Sequence, residues 1–197
     1  MRRFAWLLGL AALAGCANSL VNERYYTLRA QAPVRSVPSP EPRSTSVSVG
    51  PVRVAEVVDR PQLVLRVAEN RVRIVDGHRW AEPLKRAIPV VLAQNLARQL
   101  PAARVAVHGE TASRDAELRV QLDIRRLDSI PGEAVLLEGI WSVRRVADGA
   151  IRTGSFALRE PLEGAHYEAI VAAHEQALAR LSETLAEVAG ALAPGDR

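Results

Sequence analysis

The sequence has few of the residues that build disulfides, aromatic cavities or phosphate-binding surfaces. It contains one cysteine, Cys16, so no internal disulfide can form and noncovalent packing must hold the fold. Aromatic residues make up only 4% of the chain, which argues against a wide cavity lined by rings. Lys85 is the single lysine, and the apolar run over residues 4–13 is too short to span a bilayer. The 197 residues, 48% hydrophobic and 24% charged, instead have the balance of one globular domain.

The sequence also lacks the motifs that mark common catalytic and cofactor sites. It has no G-x-S-x-G elbow, no P-loop and no dinucleotide fingerprint. Its histidines have no metal-ligand spacing, so we predict no metal, no catalytic residue and no enzymatic activity. An envelope hydrolase stays open as an alternative, because catalytic groups distant in sequence can converge in space. The histidines are His78, His108, His166 and His174.

The N-terminus, in contrast, carries a specific signal. Arg2 and Arg3 precede the apolar run, which ends in Leu-Ala-Gly-Cys at Cys16. This ending resembles the lipobox of bacterial lipoproteins at every position. The resemblance implies cleavage between Gly15 and Cys16, diacylglycerol on the thiol and a fatty acid on the new amine, with no other cofactor. The alternative, a buried core cysteine, leaves the basic start and the small residues before Cys16 unexplained.

These features set the expected domain boundaries and partners. We predict a signal peptide over residues 1–15, a lipidated tether over 16–24, a periplasmic domain over 25–193 with a proline-rich loop at 30–46, and a tail at 194–197. Loss of Arg2 and Arg3 leaves 24 basic against 22 acidic residues, which lowers the net charge from +4 to +2. A nucleic-acid partner is therefore not expected.

Residue periodicity predicts the strands. Val47 and Val49 alternate in one phase and Val52 and Val54 in the other, which indicates a strand with a bulge at Gly50. Residues 63–67 and 72–74 alternate on either side of a turn at Glu69 and Asn70, and three longer strands follow from residue 117. The meander strands are marked by Leu118, Val120, Leu122 and Ile124, by Val135, Leu137, Trp141 and Val143, and by the Asp148 and Gly149 turn signal.

Two segments have helical spacing instead. Leucine or isoleucine recurs every four residues from Leu84 to Leu100, with a kink expected at Pro89. The second stripe runs from Tyr167 to Val188 and includes His174, which we expect to be a core residue, whereas Glu175 lies off the stripe. The predicted fold is α+β, a single domain with two helices on one face of a mainly antiparallel, mixed β-sheet.

Short motifs outside the lipobox support a family assignment. They lie at residues 25–26 (Tyr-Tyr), 59–62 (Asp-Arg-Pro-Gln), 79–84 (Arg-Trp-Ala-Glu-Pro-Leu) and 95–97 (Asn-Leu-Ala). Together with the lipobox they resemble the ABC-type transport auxiliary lipoproteins, the paraquat-inducible protein C group. The resemblance implies an outer-membrane lipoprotein facing the periplasm, which works with an ABC-type transporter and a mammalian-cell-entry (MCE) domain protein in moving lipids between membranes. Ala17, after the lipidated cysteine, is compatible with outer-membrane sorting.

Two of these motifs have both a structural and a functional interpretation. Trp80 before a helix can pack as an apolar staple, and Glu82 favours a helix start. As a docking rim, the same residues would offer a polar surface with one aromatic to a partner protein, and self-association into a homo-oligomer would also use such a surface. A domain that itself binds lipid, or an outer-membrane assembly role, are the alternatives. The rim consists of Asp59, Arg60, Pro61, Gln62, Arg79, Trp80 and Glu82.

Overall fold

A computed structural model describes residues 22–34 and 45–193 of the chain. Two helices pack on an eight-stranded mixed sheet, which confirms the predicted α+β fold. The predicted signal peptide, Cys16, most of the tether, the middle of the proline-rich loop and the tail lie outside the described residues. In chain order the elements are β1 (Arg24–Tyr26), β2 (Ser46–Val54), β3 (Gln62–Ala68), β4 (Arg71–Trp80), α1 (Leu84–Gln99), β5 (Arg104–Val107), a 3₁₀ turn (Thr111–Ser113), β6 (Leu118–Ile130), β7 (Ala134–Arg145), β8 (Ile151–Pro161) and α2 (Tyr167–Leu192).

Strand β6 organises the sheet. On one edge it pairs antiparallel with β7, which in turn pairs antiparallel with β8. Two strands share the other edge: β2 runs parallel to the first half of β6, and β3 meets it only where Leu65 pairs with Ser129. Beyond β2 lies β5, and beyond β3 lie β4 and then β1. The sheet therefore divides into two branches beside β6.

The predicted strand phases of β6 and β2 are confirmed. Leu118, Val120, Leu122 and Ile124 are all buried, while their odd-numbered neighbours are exposed or half-buried. The ladder between β2 and β6 shifts between Val49 and Val52, with Gly50 at φ 116°, which is the predicted bulge. The shift allows Val47, Val49 and Val52 all to face the core.

The predicted hairpin of β3 and β4 forms, but β4 does not keep a simple alternation of buried and exposed residues. Ile74 is 44% exposed, whereas its neighbour Val75 is buried at 7%. Between two paired positions of β3, Gln62 and Val64, the partner in β4 jumps from Arg79 to Ile74, so β4 carries a large bulge. Gly77, at φ 73°, lies inside that bulge, where a positive φ favours glycine.

Both predicted helices form. Helix α1 continues through Pro89, which is buried against the sheet, and α2 buries the predicted stripe with His174 at 4% exposure. His174 is therefore a core histidine, as predicted. Glu175, which we placed off the apolar stripe, is also buried at 4%, because the chain before β2 crosses the helix there.

That crossing segment, residues 27–34, is named the strap here. The backbone N–H groups of Gln31 and Ala32 donate to Asn95 Oδ1 of α1 at 3.0 and 2.9 Å. The N–H of Arg29 donates to Glu175 Oε1 of α2 at 2.8 Å. Ala30 and Ala32 are buried, so the beginning of the predicted proline-rich loop is packed against the helices.

Candidate functional site

The structure brings the two halves of the predicted rim together. The N–H of Trp80 donates to the carbonyl of Pro61 at 2.7 Å, which joins the end of β4 to the loop before β3. A crevice of about 250 Å³ opens beside this link. Its lining includes every rim residue except Gln62 and Arg79, and adds Ala81, Pro83 and Lys85. Residues that lie about twenty positions apart in the sequence therefore form one surface feature.

Trp80 occupies the core side of this crevice. Its side chain is 7% exposed, and its ring meets that of His174 edge-on with centroids 5.5 Å apart. The exposed aromatic anchor that the docking interpretation assumed is therefore absent, and Trp80 instead fixes the start of α1 against α2. The outward part of the rim is polar.

Charged side chains line the outward part in pairs. Asp59 Oδ2 accepts from Lys85 Nζ at 3.2 Å, and Arg79 Nε lies 2.7 Å from Glu23 Oε1. Glu82 is exposed and forms no ion pair with any described residue. Sequence motifs did not indicate Lys85 or Glu23, because their role depends on contacts made across the fold.

Two rim arginines, Arg60 and Arg79, are half-buried and have an Nε with no hydrogen-bond partner among residues 22–34 and 45–193. Arg79 forms an ion pair with Glu23, whereas Arg60 forms none with a described residue. A buried donor without a partner is costly, so Arg60 is the rim side chain with most to gain from an added acceptor.

A second groove lies on the other side of the α1 start. It has a volume of about 550 Å³ and runs between α1, the bulge of β2 and the end of β5. Glu82 and Lys85 line both this groove and the rim crevice, so the first turn of α1 forms the ridge between them. His108 and Arg86 add to its polar wall, and Val90, 37% exposed, adds an apolar one.

One serine–histidine pair among the described residues bears on the hydrolase alternative. His174 Nδ1–H donates to the Ile170 carbonyl at 2.7 Å, which leaves Nε2 as an acceptor for the Ser129 hydroxyl at 3.4 Å. Burial lowers the pKa of His174 to about 4. Both residues are buried behind Trp80, so the pair serves packing and is closed to a substrate. In the described residues, no group of three or more His, Cys, Asp and Glu side chains forms a metal site.

A buried ion pair holds the β3–β4 hairpin to β6. Asp128 accepts from Arg66 Nη2 at 2.8 Å and from Arg126 Nε at 2.6 Å. Burial alone would raise the pKa of Asp128, but the hydrogen bonds and charges of the two arginines outweigh it, and the pKa lies below its usual value. This contact reinforces the single ladder pair between β3 and β6.

A mainly apolar crevice where α1 and α2 end bears on the lipid-binding alternative. It is lined by residues such as Val47, Leu100, Leu118 and Ala189, and its volume is about 250 Å³. This is below the 300–1,000 Å³ that is typical of ligand pockets, so it favours a small group over a whole phospholipid. No described helix is both long and apolar enough to cross a bilayer.

Comparisons with known proteins agree with the fold. A crystal structure titled only as an uncharacterized protein has a TM-score of 0.70 at 20% identity and covers 85% of this chain and 98% of its own. Protein XCC0632 from Xanthomonas campestris, of the DUF330 family, has a TM-score of 0.65 at 16% identity and covers 84% and 94%. PelC from Paraburkholderia phytofirmans, a dodecamer, scores 0.43 at 12% identity over 74% and 92%, too low to support an argument.

The family comparison covers most of the chain. No curated protein matches the sequence significantly. The model of the ABC-type transport auxiliary lipoprotein component matches residues 26–186, which include the strap, both halves of the rim and most of α2. The chain therefore belongs to the ABC-type transport auxiliary lipoprotein family.

Proposed function

We propose that this protein is a lipid-anchored periplasmic subunit of an intermembrane lipid transport system. Lipid on Cys16 holds the domain at the outer membrane, and the rim docks an MCE-domain protein that works with an ABC-type transporter. The protein catalyses no reaction in this proposal, and lipid passes along its partner. Family membership supports the general auxiliary role in transport.

The observation that carries the docking proposal is the meeting of the two rim motifs at one crevice. Sequence motifs that serve separate structural tasks have no need to share a surface, whereas a docking site requires it. The crevice is walled by Arg60, Pro61 and Lys85 and backed by the rigid ring of Trp80. Its volume suits one or two partner side chains, and its paired charges would fix their orientation.

Arg60 is the residue expected to recognise the partner. A partner carboxylate or carbonyl placed in the crevice would accept from the guanidinium of Arg60, which has no ion-pair partner among the described residues. Asp59 and Glu82 flank it with the opposite charge, so a partner group with both an acceptor and a donor would match the rim best.

The docking role is tested by reversing the charge of Arg60. Arg60→Glu is expected to lower recovery of the MCE-domain protein, in pull-downs from crosslinked cells, by about tenfold, since it places an anion beside two others. Circular dichroism and the melting temperature are expected to be unchanged. The matched control is Arg152→Glu, because Arg152 is exposed on the opposite sheet edge. Full recovery of the partner by a folded Arg60→Glu protein would contradict the docking role.

The anchor is tested independently of the rim. Cells given labelled palmitate are expected to label the wild-type chain and not Cys16→Ser, and the mature chain should begin at Cys16 by mass spectrometry. Fractionation places the labelled chain at the outer or the inner membrane. An unlabelled wild-type chain would refute lipidation.

A further inference from the structure

The path of the chain into the fold gives the domain a direction relative to its anchor. Strand β1 runs parallel to β4, with Arg24 beside His78 and Tyr26 beside Trp80. The rim lies where β4 ends, so the chain enters β1 pointing toward the rim. A tether that continued the line of β1 would therefore approach from the opposite direction, where β4 begins and the β3–β4 turn lies.

The entering chain is fixed to the domain from its first described residues. Glu23 pairs with Arg79, β1 is bonded to β4, and the strap that follows is bonded to both helices. Only the six residues from Cys16 up to Asn22 remain to reach a bilayer. At about 3.4 Å per extended residue they span at most about 20 Å.

This reach matches the length of the hairpin. Because β4 is bulged, the length of the hairpin follows from β3: the six steps from Gln62, opposite Arg79, to Ala68, opposite Arg71, span at most about 20 Å at 3.3 Å per residue. A lipid on Cys16 therefore brings the bilayer about as far as the hairpin tip. The rim, at the other end of the hairpin, is about 20 Å from that tip.

We propose that the tip of the β3–β4 hairpin is the membrane-contacting end of the domain and that the rim faces the periplasm. This inference rests on the lipidation of Cys16 proposed above. The tip consists of Glu69, Asn70, Arg71, Val72, Arg73 and Ile74. Its partner is the lipid head-group layer, which meets two guanidinium groups and one exposed aliphatic side chain.

The chemistry of the tip fits this partner. Arg71 and Arg73 are exposed and form no ion pair with any residue in the described part of the chain, so both are available to lipid phosphates. Ile74, 44% exposed, lies on the opposite face of the strand, where it can enter the interface, whereas Val72 packs against the core. Glu69 reduces the net positive charge of the tip, so the tether and not charge alone sets the orientation.

The tip is also held rigidly enough to define an orientation. Arg66 joins the hairpin to Asp128 of β6, and its Nη1 donates to the carbonyl of Glu69 in the turn at 3.2 Å. The charge pair is mostly buried, with Asp128 at 5% side-chain exposure. The hairpin therefore projects as part of the sheet.

The single native cysteine makes a direct test practical. With the Cys16 thiol occupied by lipid, one introduced cysteine carries a unique NBD fluorophore. The label sites are Asn70→Cys at the tip, Glu82→Cys at the rim and Ala147→Cys in the β7–β8 turn, all exposed. Val135 is level with the hairpin through Ser129, so the turn after Arg145 lies at the far end of the sheet.

The full-length lipidated protein is placed in vesicles of phosphatidylethanolamine and phosphatidylglycerol that carry a head-group spin label as quencher. We expect quenching at position 70 to exceed that at positions 82 and 147 by at least threefold. Equal quenching at the three positions, or stronger quenching at position 82 or 147, would overturn the orientation. Arg71→Glu with Arg73→Glu should reduce the quenching at position 70 at least twofold, with Arg152→Glu as the matched control, and no reduction would overturn the arginine contact.

The two proposals fail in different ways. A chain that carries no lipid and does not float with vesicles refutes lipidation and this inference together. A lipidated chain that floats with vesicles but is quenched most at the rim refutes only the orientation and leaves the anchor in place.

Discussion

The stability of the domain should fall when the medium is acidified from pH 7.5 to 5.0, because of His174. The pKa of this buried side chain is about 4, against an ordinary value of 6.5, and the cause is burial. The unfolded chain therefore binds a proton between these two values that the folded chain excludes. The contribution of neutral His174 to the free energy of unfolding is therefore full above pH 6.5 and is lost as the pH falls toward 4.

The size of the effect follows from the two pKa values. At pH 5.0 the unfolded histidine is almost fully protonated and the folded one only slightly, which lowers the free energy of unfolding by about 2 kcal/mol relative to pH 7.5. For a chain of this length that corresponds to a melting temperature lower by about 4–8 °C. Urea unfolding followed by circular dichroism at the two pH values measures it directly.

The matched variants are His174→Gln and His166→Gln. His174→Gln should have a lower free energy of unfolding than the wild type at pH 7.5. It should also lose most of the difference between the two pH values, since no titrating group remains at this position. His166 is exposed, so His166→Gln should keep the wild-type difference. A wild-type protein equally stable at both pH values, or an equal pH slope in His174→Gln, would refute the link between burial and this titration.

Two further predictions concern packing. Asn95→Leu removes the oxygen that accepts from two strap amides, and should cost about 2–4 kcal/mol and speed hydrogen exchange at Gln31 and Ala32, with exchange in β6 as the internal reference. Unchanged exchange in the strap would show that Asn95 does not hold it. Gly139→Ala places a Cβ 2.2 Å from the Asp123 carbonyl oxygen and should cost about 3 kcal/mol in urea unfolding. The control Gly190→Ala meets nothing within 4 Å and lies in α2, so it should leave stability unchanged or raise it by up to about 1 kcal/mol, and equal effects of the two would refute the clash.

Local sequence patterns were sufficient to predict strands in which burial follows the alternation of residues. The alternation of β6 is visible in the sequence because β6 is long and one of its faces lies in the core. The bulge at Gly50 was visible because the valine phase changes there. The hairpin was different: β3 and β4 are matched through the bulge around Gly77, and a pairing between strands leaves no local periodicity from which to predict that Ile74 is exposed and Val75 buried.

Polar residues under the strap could not be predicted for a related reason. Asn95 and Glu175 have the spacing and chemistry of helix-surface residues, yet both are buried. They are buried by the strap, a backbone segment more than sixty residues earlier in the chain. Their side-chain oxygens accept hydrogen bonds from its N–H groups. The Asn-Leu-Ala motif marked this position in the sequence but did not indicate why. In the structure the side-chain amide of Asn95 takes the place of a β-strand partner for the strap.

The strap also explains how a short tether can set the direction of a whole domain. A flexible linker would let the rim face any direction, and then the approach of a partner from across the periplasm would be random. Here β1 is paired with the sheet, and within a few residues Asn95 and Glu175 hold the same chain against both helices. Any pull on the anchor is therefore carried by the sheet edge and the helices together, and the free length is only that between Cys16 and Asn22. Lengthening that stretch by about ten Gly-Ser residues should thus preserve lipidation and folding but reduce the difference in quenching between positions 70 and 82, whereas an unchanged difference would mean that the tip contacts alone orient the domain.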